Sequence, residues 1–202
     1  MTKRSGFTLI ELLIAIAIFA VVAMIGVKAV YTVVRTHHKV LLVQQRLQKI
    51  LVATSLLRQD VSQMVDRSVR DTSGSALPGI LMRSSTALEF TRRGHLCLPL
   101  DNCSTFLRVA YFCKDHALYR QWWPVVDRAA ETKARQIKLL DDLQTCQLRF
   151  VDATGQYRRV WQTAVHQGAS RLPRAIEWTF TTTHDGQLVL LLPIAARGYQ
   201  HA

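Results

Sequence analysis

Glu11 is the one ionisable side chain between Arg4 and Lys28, and it stands at the head of a stretch, Phe7 to Val34, that is otherwise almost entirely apolar. A charge held in hydrocarbon costs about 2.5 to 3.5 kcal/mol even on a lenient insertion scale, so a carboxylate here implies a partner. The junction that precedes it, Lys3-Arg4-Ser5-Gly6 followed by Phe7-Thr8-Leu9-Ile10, carries the second chemical signal. A secretory signal peptide places its small residues after a short apolar core, whereas here Gly6 comes before a longer one.

The other candidate chemistry lies in four cysteines, Cys97, Cys103, Cys113 and Cys146, all beyond the apolar segment. Their spacing contains no CxxC pair and no paired histidines, which fits zinc poorly and disulfides or buried thiols better. Of the three possible pairings, Cys97 with Cys103 has a local argument, because Pro99, Asp101 and Asn102 suggest a tight loop between them. Asp141, Asp142 and Glu131 lack the alternating oxygen ligands and central glycine of a calcium loop and read as solvated charges. No Walker loop, HExxH or GxSxG occurs, so nothing nominates an enzyme, a cofactor or a metal site.

These residues need elements to hold them. The apolar run exceeds the roughly 20 residues that span a bilayer as a helix, and Lys3 and Arg4 before it predict a cytoplasmic N-terminus with the remainder outside. No proline precedes Pro78, and Gly6 and Gly26 are the only glycines before Gly74, so one helix is expected to continue to about Ser68. At 1.5 Å per residue, roughly 60 residues make a rod of about 90 Å. Beyond Val34 the pattern turns amphipathic, through Val40, Val43, Leu47, Ile50, Leu51, Leu57, Val61, Met64 and Val65. The C-terminal half of that stripe is expected to pack on the protein's own sheet, and the half around Val40 to Leu47 to meet other chains. His37 and His38, beside Arg35 and Lys39, suit a membrane exit.

From the break at Asp71 to Gly79 the chain reads as short antiparallel strands: Ile80–Arg83, Ala87–Arg92, Phe106–Cys113, Ala117–Trp122, Leu143–Val151, Tyr157–Thr163, Ala175–Thr182 and Leu188–Ile194. Asp152-Ala153-Thr154-Gly155 and His184-Asp185-Gly186 are hairpin signals. Val126 to Leu140 is polar and reads as an insertion or loop with a short helix. The expected fold class is α+β, a long N-terminal helix packed on antiparallel sheets. Its expected divisions are residues 1–6, 7–34, 35–72 as the amphipathic continuation of the helix, and 73–202 as the β-rich part.

The formal net charge is +12, which could serve nucleic acid, an acidic membrane surface or acidic protein partners. Tyr119-Arg120-Gln121-Trp122-Trp123 and Tyr157-Arg158-Arg159-Val160-Trp161 interleave aromatic residues with cations, as single-strand binding surfaces do. Strand alternation offers the plainer expectation, that Tyr and Trp enter the core while Arg points to water.

Gly6-Phe7-Thr8-Leu9-Ile10-Glu11 resembles the class III signal of type IV pilins and type II secretion pseudopilins. The resemblance implies cleavage after Gly6 by prepilin peptidase, methylation of the Phe7 amine, and a filament role for Glu11 beside the Phe7 ammonium of a neighbouring subunit. Further along, Phe106-Leu107-Arg108-Val109-Ala110-Tyr111-Phe112, His116-Ala117-Leu118-Tyr119-Arg120, Trp123-Pro124, Leu148-Arg149-Phe150, Val160-Trp161 and Leu172-Pro173-Arg174-Ala175-Ile176-Glu177 resemble, in that order, the J-type minor pseudopilins of type II secretion. That likeness implies a pilin-like fold and a non-enzymatic place at the pseudopilus tip with I- and K-type minor pseudopilins and other pseudopilins. It also implies an inner-membrane anchor, a periplasmic β domain and secreted exoproteins as candidate contacts. The four cysteines depart from the family pattern. A minor pilin of a surface type IV pilus, used in adhesion or DNA uptake, shares the N-terminal signal and is the alternative.

Overall fold

The computed structural model describes residues 8–94, 104–129, 131–161 and 172–195. It divides into two compact units, residues 1–48 and 49–202. Helix α1, Leu9–Ser62, supplies the described part of the first unit and enters the second. Its first turn is closed by a reciprocal cap. Thr8 N and Thr8 Oγ1 each donate to Glu11 Oε2 at 2.9 Å, and Glu11 N approaches Thr8 Oγ1 at 3.4 Å, the S/T-x-x-E arrangement that satisfies orphan donors at a helix start. From Leu9 to Val34 every side chain is exposed, so the apolar surface of the first unit has no cover among the described residues.

The helix ends at Ser62, short of the expected Ser68 and of the boundary at residue 72. No glycine or proline stops it there; the stop is tertiary. Strand β1, Met64–Val65, pairs with Arg92 and Thr91 of β5, Ala87–Arg92, and Arg93 N donates to Gln63 O at 3.0 Å. Met64 and Val65, read as helix-stripe residues, are strand residues instead. The next segments, β2 at Val69–Arg70 and β3 at Ala76–Leu77, form a small ribbon that the sequence reading did not contain. Gly79 follows under steric constraint, since a Cβ there would stand 2.8 Å from Arg67 N and from Asp66 Cα, closer than any side chain tolerates.

The remaining strands are β4 (Ile80–Ser84), β6 (Leu107–Lys114), β7 (Ala117–Trp123), β8 (Arg135–Leu140), β9 (Leu143–Val151), β10 (Tyr157–Arg158), β11 (Ala175–Thr182) and β12 (Gly186–Pro193). A six-stranded sheet runs β1-β5-β6-β7-β8, with β4 also paired to β5, and a four-stranded sheet runs β10-β9-β11-β12; every pairing is antiparallel. The fold is therefore α+β, a long apolar helix with antiparallel sheets.

Two expectations change. Val126 to Leu140 holds β8 and, among its described residues, no helix; β8 is a sheet edge whose Arg135 and Lys138 stay exposed, which is why its composition looked like a loop. The strand expected from Tyr157 to Thr163 ends at Arg158, and residues beyond Trp161 there lie outside the described set. Both hairpin signals do fall between paired strands, β9 with β10 and β11 with β12. In the first, Gly155 takes φ 86° and its N–H donates to Asp152 O at 3.1 Å, a backbone that glycine adopts without strain.

The core of the second unit gathers three sources. Ala53, Leu57 and Val61 come from α1; Leu88, Phe90, Val109, Tyr111 and Leu118 from the six-stranded sheet; Leu148, Phe150, Ile176, Trp178, Phe180 and Leu192 from the four-stranded one. Tyr111 and Trp178 meet edge to face at 5.9 Å between the sheets, a contact that adds about 0.5–1.5 kcal/mol beyond area burial.

Candidate functional site

The chemistry foreseen at the N-terminus is only partly within the described residues: Gly6 and Phe7 lie outside them, and Glu11 lies on the first turn of α1. Both strong bonds to Glu11 fall on Oε2 and come from Thr8, which is on the C-terminal side of the expected cleavage point, so the cap does not depend on the leader. The sequence signal for it was present as Thr8-x-x-Glu11, a capping box read only for its charge. Exposed Leu12, Leu13, Ile16 and Phe19 follow.

In the second unit the helix is held by a polar lock that the sequence reading missed. Asp60 is 1% exposed on the same face as Leu57 and Val61. Tyr111 Oη donates to its Oδ2 at 2.7 Å and Arg120 Nε at 2.8 Å, while Arg92 Nε lies 3.1 Å from Oδ1. Arg92 also donates through Nη1 to Gln63 Oε1. Burial pushes the Tyr111 hydroxyl well above its usual range and the Asp60 charge adds to this, keeping the phenol protonated as a donor. Burial alone would lower the Arg120 pKa, but its bond and charge contact with Asp60 outweigh that and raise it. One carboxylate thus fixes the last turns of α1 to β5, β6 and β7.

The aromatic-and-cation segments are arranged differently from the expectation. Arg120 faces the core and Asp60, not water, and Tyr119 lies on the opposite face, stacked on Phe112 at 5.4 Å. Tyr157 is exposed beneath the Arg149 guanidinium at 4.8 Å, whereas Trp161 packs on Phe150 at 5.9 Å. The reading with every Tyr and Trp inside and every Arg outside fails because β7 turns its other face to the helix, where a buried acid awaits the guanidinium.

Cys113 of β6 and Cys146 of β9 are joined in a disulfide that links the two sheets. Cys97 and Cys103, for which a local pairing was expected, lie outside the described residues. Asp141 pairs with Lys49 at 2.8 Å, which holds its pKa below the usual carboxylate value, and Asp142 takes a left-handed φ of 59° in the β8–β9 turn. Glu131 is exposed. Among the described residues no three His, Cys, Asp or Glu side chains converge as a metal site.

An uncovered apolar N-terminal helix headed by a capped carboxylate, and entering an α+β body of antiparallel sheets, defines a pilin-like subunit. Residues 28–193 match the family described as type II secretion system (T2SS), protein J, and residues 1–27 match the prokaryotic N-terminal methylation motif. The chain belongs to the protein J family of the type II secretion system and is a minor pseudopilin of that system.

It is 31% identical over 193 residues to type II secretion system protein J of Escherichia coli, covering 92% of this chain and 93% of that one. To protein J of Klebsiella pneumoniae it is 29% identical, covering 95% and 96%. A chain in the crystal structure of the GspK-GspI-GspJ complex from enterotoxigenic E. coli superposes with a TM-score of 0.65 at 26% identity, covering 76% of this chain and 99% of that one. These likenesses favour the secretion system over a surface type IV pilus. The helix α1 is long and apolar enough to anchor the chain in a membrane.

Proposed function

We propose that the chain is cut by prepilin peptidase between Gly6 and Phe7, methylated on the Phe7 amine, and held in the inner membrane with its N-terminus cytoplasmic and its β domain periplasmic. From there it enters the tip of the periplasmic pseudopilus beside I- and K-type minor pseudopilins, without an enzymatic step of its own. The related complex supports this choice of partners, since it contains GspK, GspI and GspJ together.

The observation that carries the proposal is the apolar surface from Leu9 to Val34, exposed throughout and bearing a single carboxylate at its start. Such a surface is stable in lipid or against the same surface of other subunits, and nowhere in water. The Thr8 donors anchor Glu11 Oε2, and a neighbouring subunit's Phe7 ammonium would complete the neutralisation in a medium where opposite charges attract strongly. Exposed Val40, Val43 and Leu47 extend the lateral contact beyond the bilayer.

The test is co-purification of the full chain from membranes with tagged I- and K-type minor pseudopilins of the same organism. A stoichiometric ternary complex is expected, and its absence under conditions where the I- and K-type partners join each other would overturn the assignment to the tip. Glu11→Ala is expected to leave the β domain folded, as read by tryptophan fluorescence, while abolishing incorporation into filaments and secretion. Unchanged secretion would remove Glu11 from the assembly step.

A further inference from the structure

A second charged assembly lies on the face of the six-stranded sheet turned away from α1. Along β5 and β6 the residues Leu88, Phe90, Val109 and Tyr111 enter the core, so the alternate residues Glu89, Arg108, Ala110 and Phe112 line the opposite face. Glu89 is 2% exposed and receives three guanidinium groups: Arg83 Nη2 at 2.9 Å, Arg108 Nε at 2.9 Å, and Arg128 Nη2. Three cations on one carboxylate leave an excess of positive charge, which Asp71 offsets in part through its attraction to Arg128. Arg128, whose side chain is more than nine-tenths buried, keeps its Nε without a hydrogen-bond partner among the described residues, and so does Arg108 Nη2. Buried donors of this kind are expensive unless something completes them.

A groove of about 450 Å³ opens on this assembly, lined by Arg83, Glu89, Phe112, Lys114, Trp123 and Arg128. Its two outer cations are accessible: the Arg83 side chain is 51% exposed and that of Lys114 is 70% exposed. Asp115 stands 3.9 Å from Lys114, but an exposed pair at that distance neutralises little. Trp123 is buried beneath Arg128 at 3.6 Å and one face of Phe112 is stacked on Tyr119, which leaves little open aromatic surface for a nucleobase to stack on.

We infer that this groove is a docking site for an acidic segment of a protein partner, whose Asp or Glu side chains meet Arg83 and Arg128 at one end and Lys114 at the other. Guanidinium groups match carboxylates in planar, paired geometry, and Arg83 so far places both its Nε and its Nη2 on the single oxygen Oε2 of Glu89. The incoming carboxylates offset the surplus charge that Glu89 leaves uncompensated.

The test is a fluorescence-anisotropy titration of a fluorescein-labelled hexaglutamate peptide into the full chain held in neutral detergent micelles at low salt. Saturable binding is expected, weakened about tenfold by Arg83→Glu and similarly by Lys114→Glu. Arg58→Glu makes the same charge change on an exposed position of α1 and is expected to alter the affinity less than about twofold. Equal losses for Arg58→Glu and Arg83→Glu would reduce the effect to general basicity and overturn the site, as would absence of binding. A single-stranded oligonucleotide that displaces the peptide and depends more strongly on Arg83 would also overturn it, in favour of phosphate. Both reversed side chains are largely exposed, and unchanged circular dichroism is expected to confirm that the variants fold.

Discussion

Asp60 stabilises the second unit only in company. Two arginines, Arg92 and Arg120, reach a carboxylate that is itself buried, and Tyr111 completes its shell, so removing the acid strands two cations in the interior. Breaking a buried pair in this way costs about 3–5 kcal/mol, and Asp60→Ala is expected to lower the unfolding free energy read from a urea titration by that amount without changing the apolar helix surface. Asp60→Asn keeps an acceptor and should fall between, as tryptophan fluorescence would read directly. Glu89 makes a pH argument of the same kind. Burial tends to raise its pKa, but Arg108, with Arg128 and Arg83 behind it, holds it below the ordinary 4.5. A depressed acid contributes stability above its unfolded value and loses it as pH falls through the folded one. Melting temperature should therefore drop below about pH 4.5, and Glu89→Gln should flatten that drop while lowering stability near neutrality. Neither acid was legible from the chain, because hydropathy patterns count apolar positions, and an Asp between Gln59 and Val61 reads as one more solvated charge.

Helix α1 divides into what local sequence controls and what it does not. Its start was written in Thr8 and Glu11, and its apolar character in composition, but its end was not written at all. Ser62 is the last helical residue because Met64 and Val65 gain a strand partner in β5, a contact that no local propensity anticipates. The stripe shows the same limit. Leu57 is fully buried and Leu51 is 68% exposed, although both stood on the expected apolar face. The occupied face follows Ile50, Ala53, Leu57 and Val61, leaving Leu51 aside. Leu57→Ala should cost about 2–5 kcal/mol of unfolding free energy, since the cavity closes only partly. Leu51→Ala should cost less than about 0.5 kcal/mol in the same melt. A large loss at Leu51 and little at Leu57 would mean that the helix packs through the other face. β8 was missed for the complementary reason: an edge strand rich in Arg and Lys carries its information in its neighbour, Ala117–Trp123, rather than in itself.

The body as a whole rests on two sheets that differ in how they are tied to the rest. The six-stranded sheet is bound to α1 by the Asp60 lock, whereas the four-stranded sheet shares the core through Phe150, Ile176 and Trp178 and is tied covalently by Cys113 and Cys146. Antiparallel β structure and most strand positions were legible because alternation and hairpin residues are local; the Cys113–Cys146 bond had no local signal of its own, because its two ends meet only when the sheets are placed. The bond spans a sequence separation of 33 residues. Closing a loop of that order restricts the unfolded chain and is typically worth about 2–4 kcal/mol. Replacing both cysteines together, Cys113→Ser with Cys146→Ser, is therefore expected to lower the melting temperature on the order of 10 °C. Dithiothreitol should destabilise the unaltered chain but have a smaller effect on this double variant. If reductant shifts both proteins equally, the loss belongs to some other bond, and the link between the sheets carries little of the fold's stability. If only the unaltered chain responds, this subunit becomes fully stable only after oxidation of Cys113 and Cys146, which suits a β domain that matures outside the reducing cytoplasm.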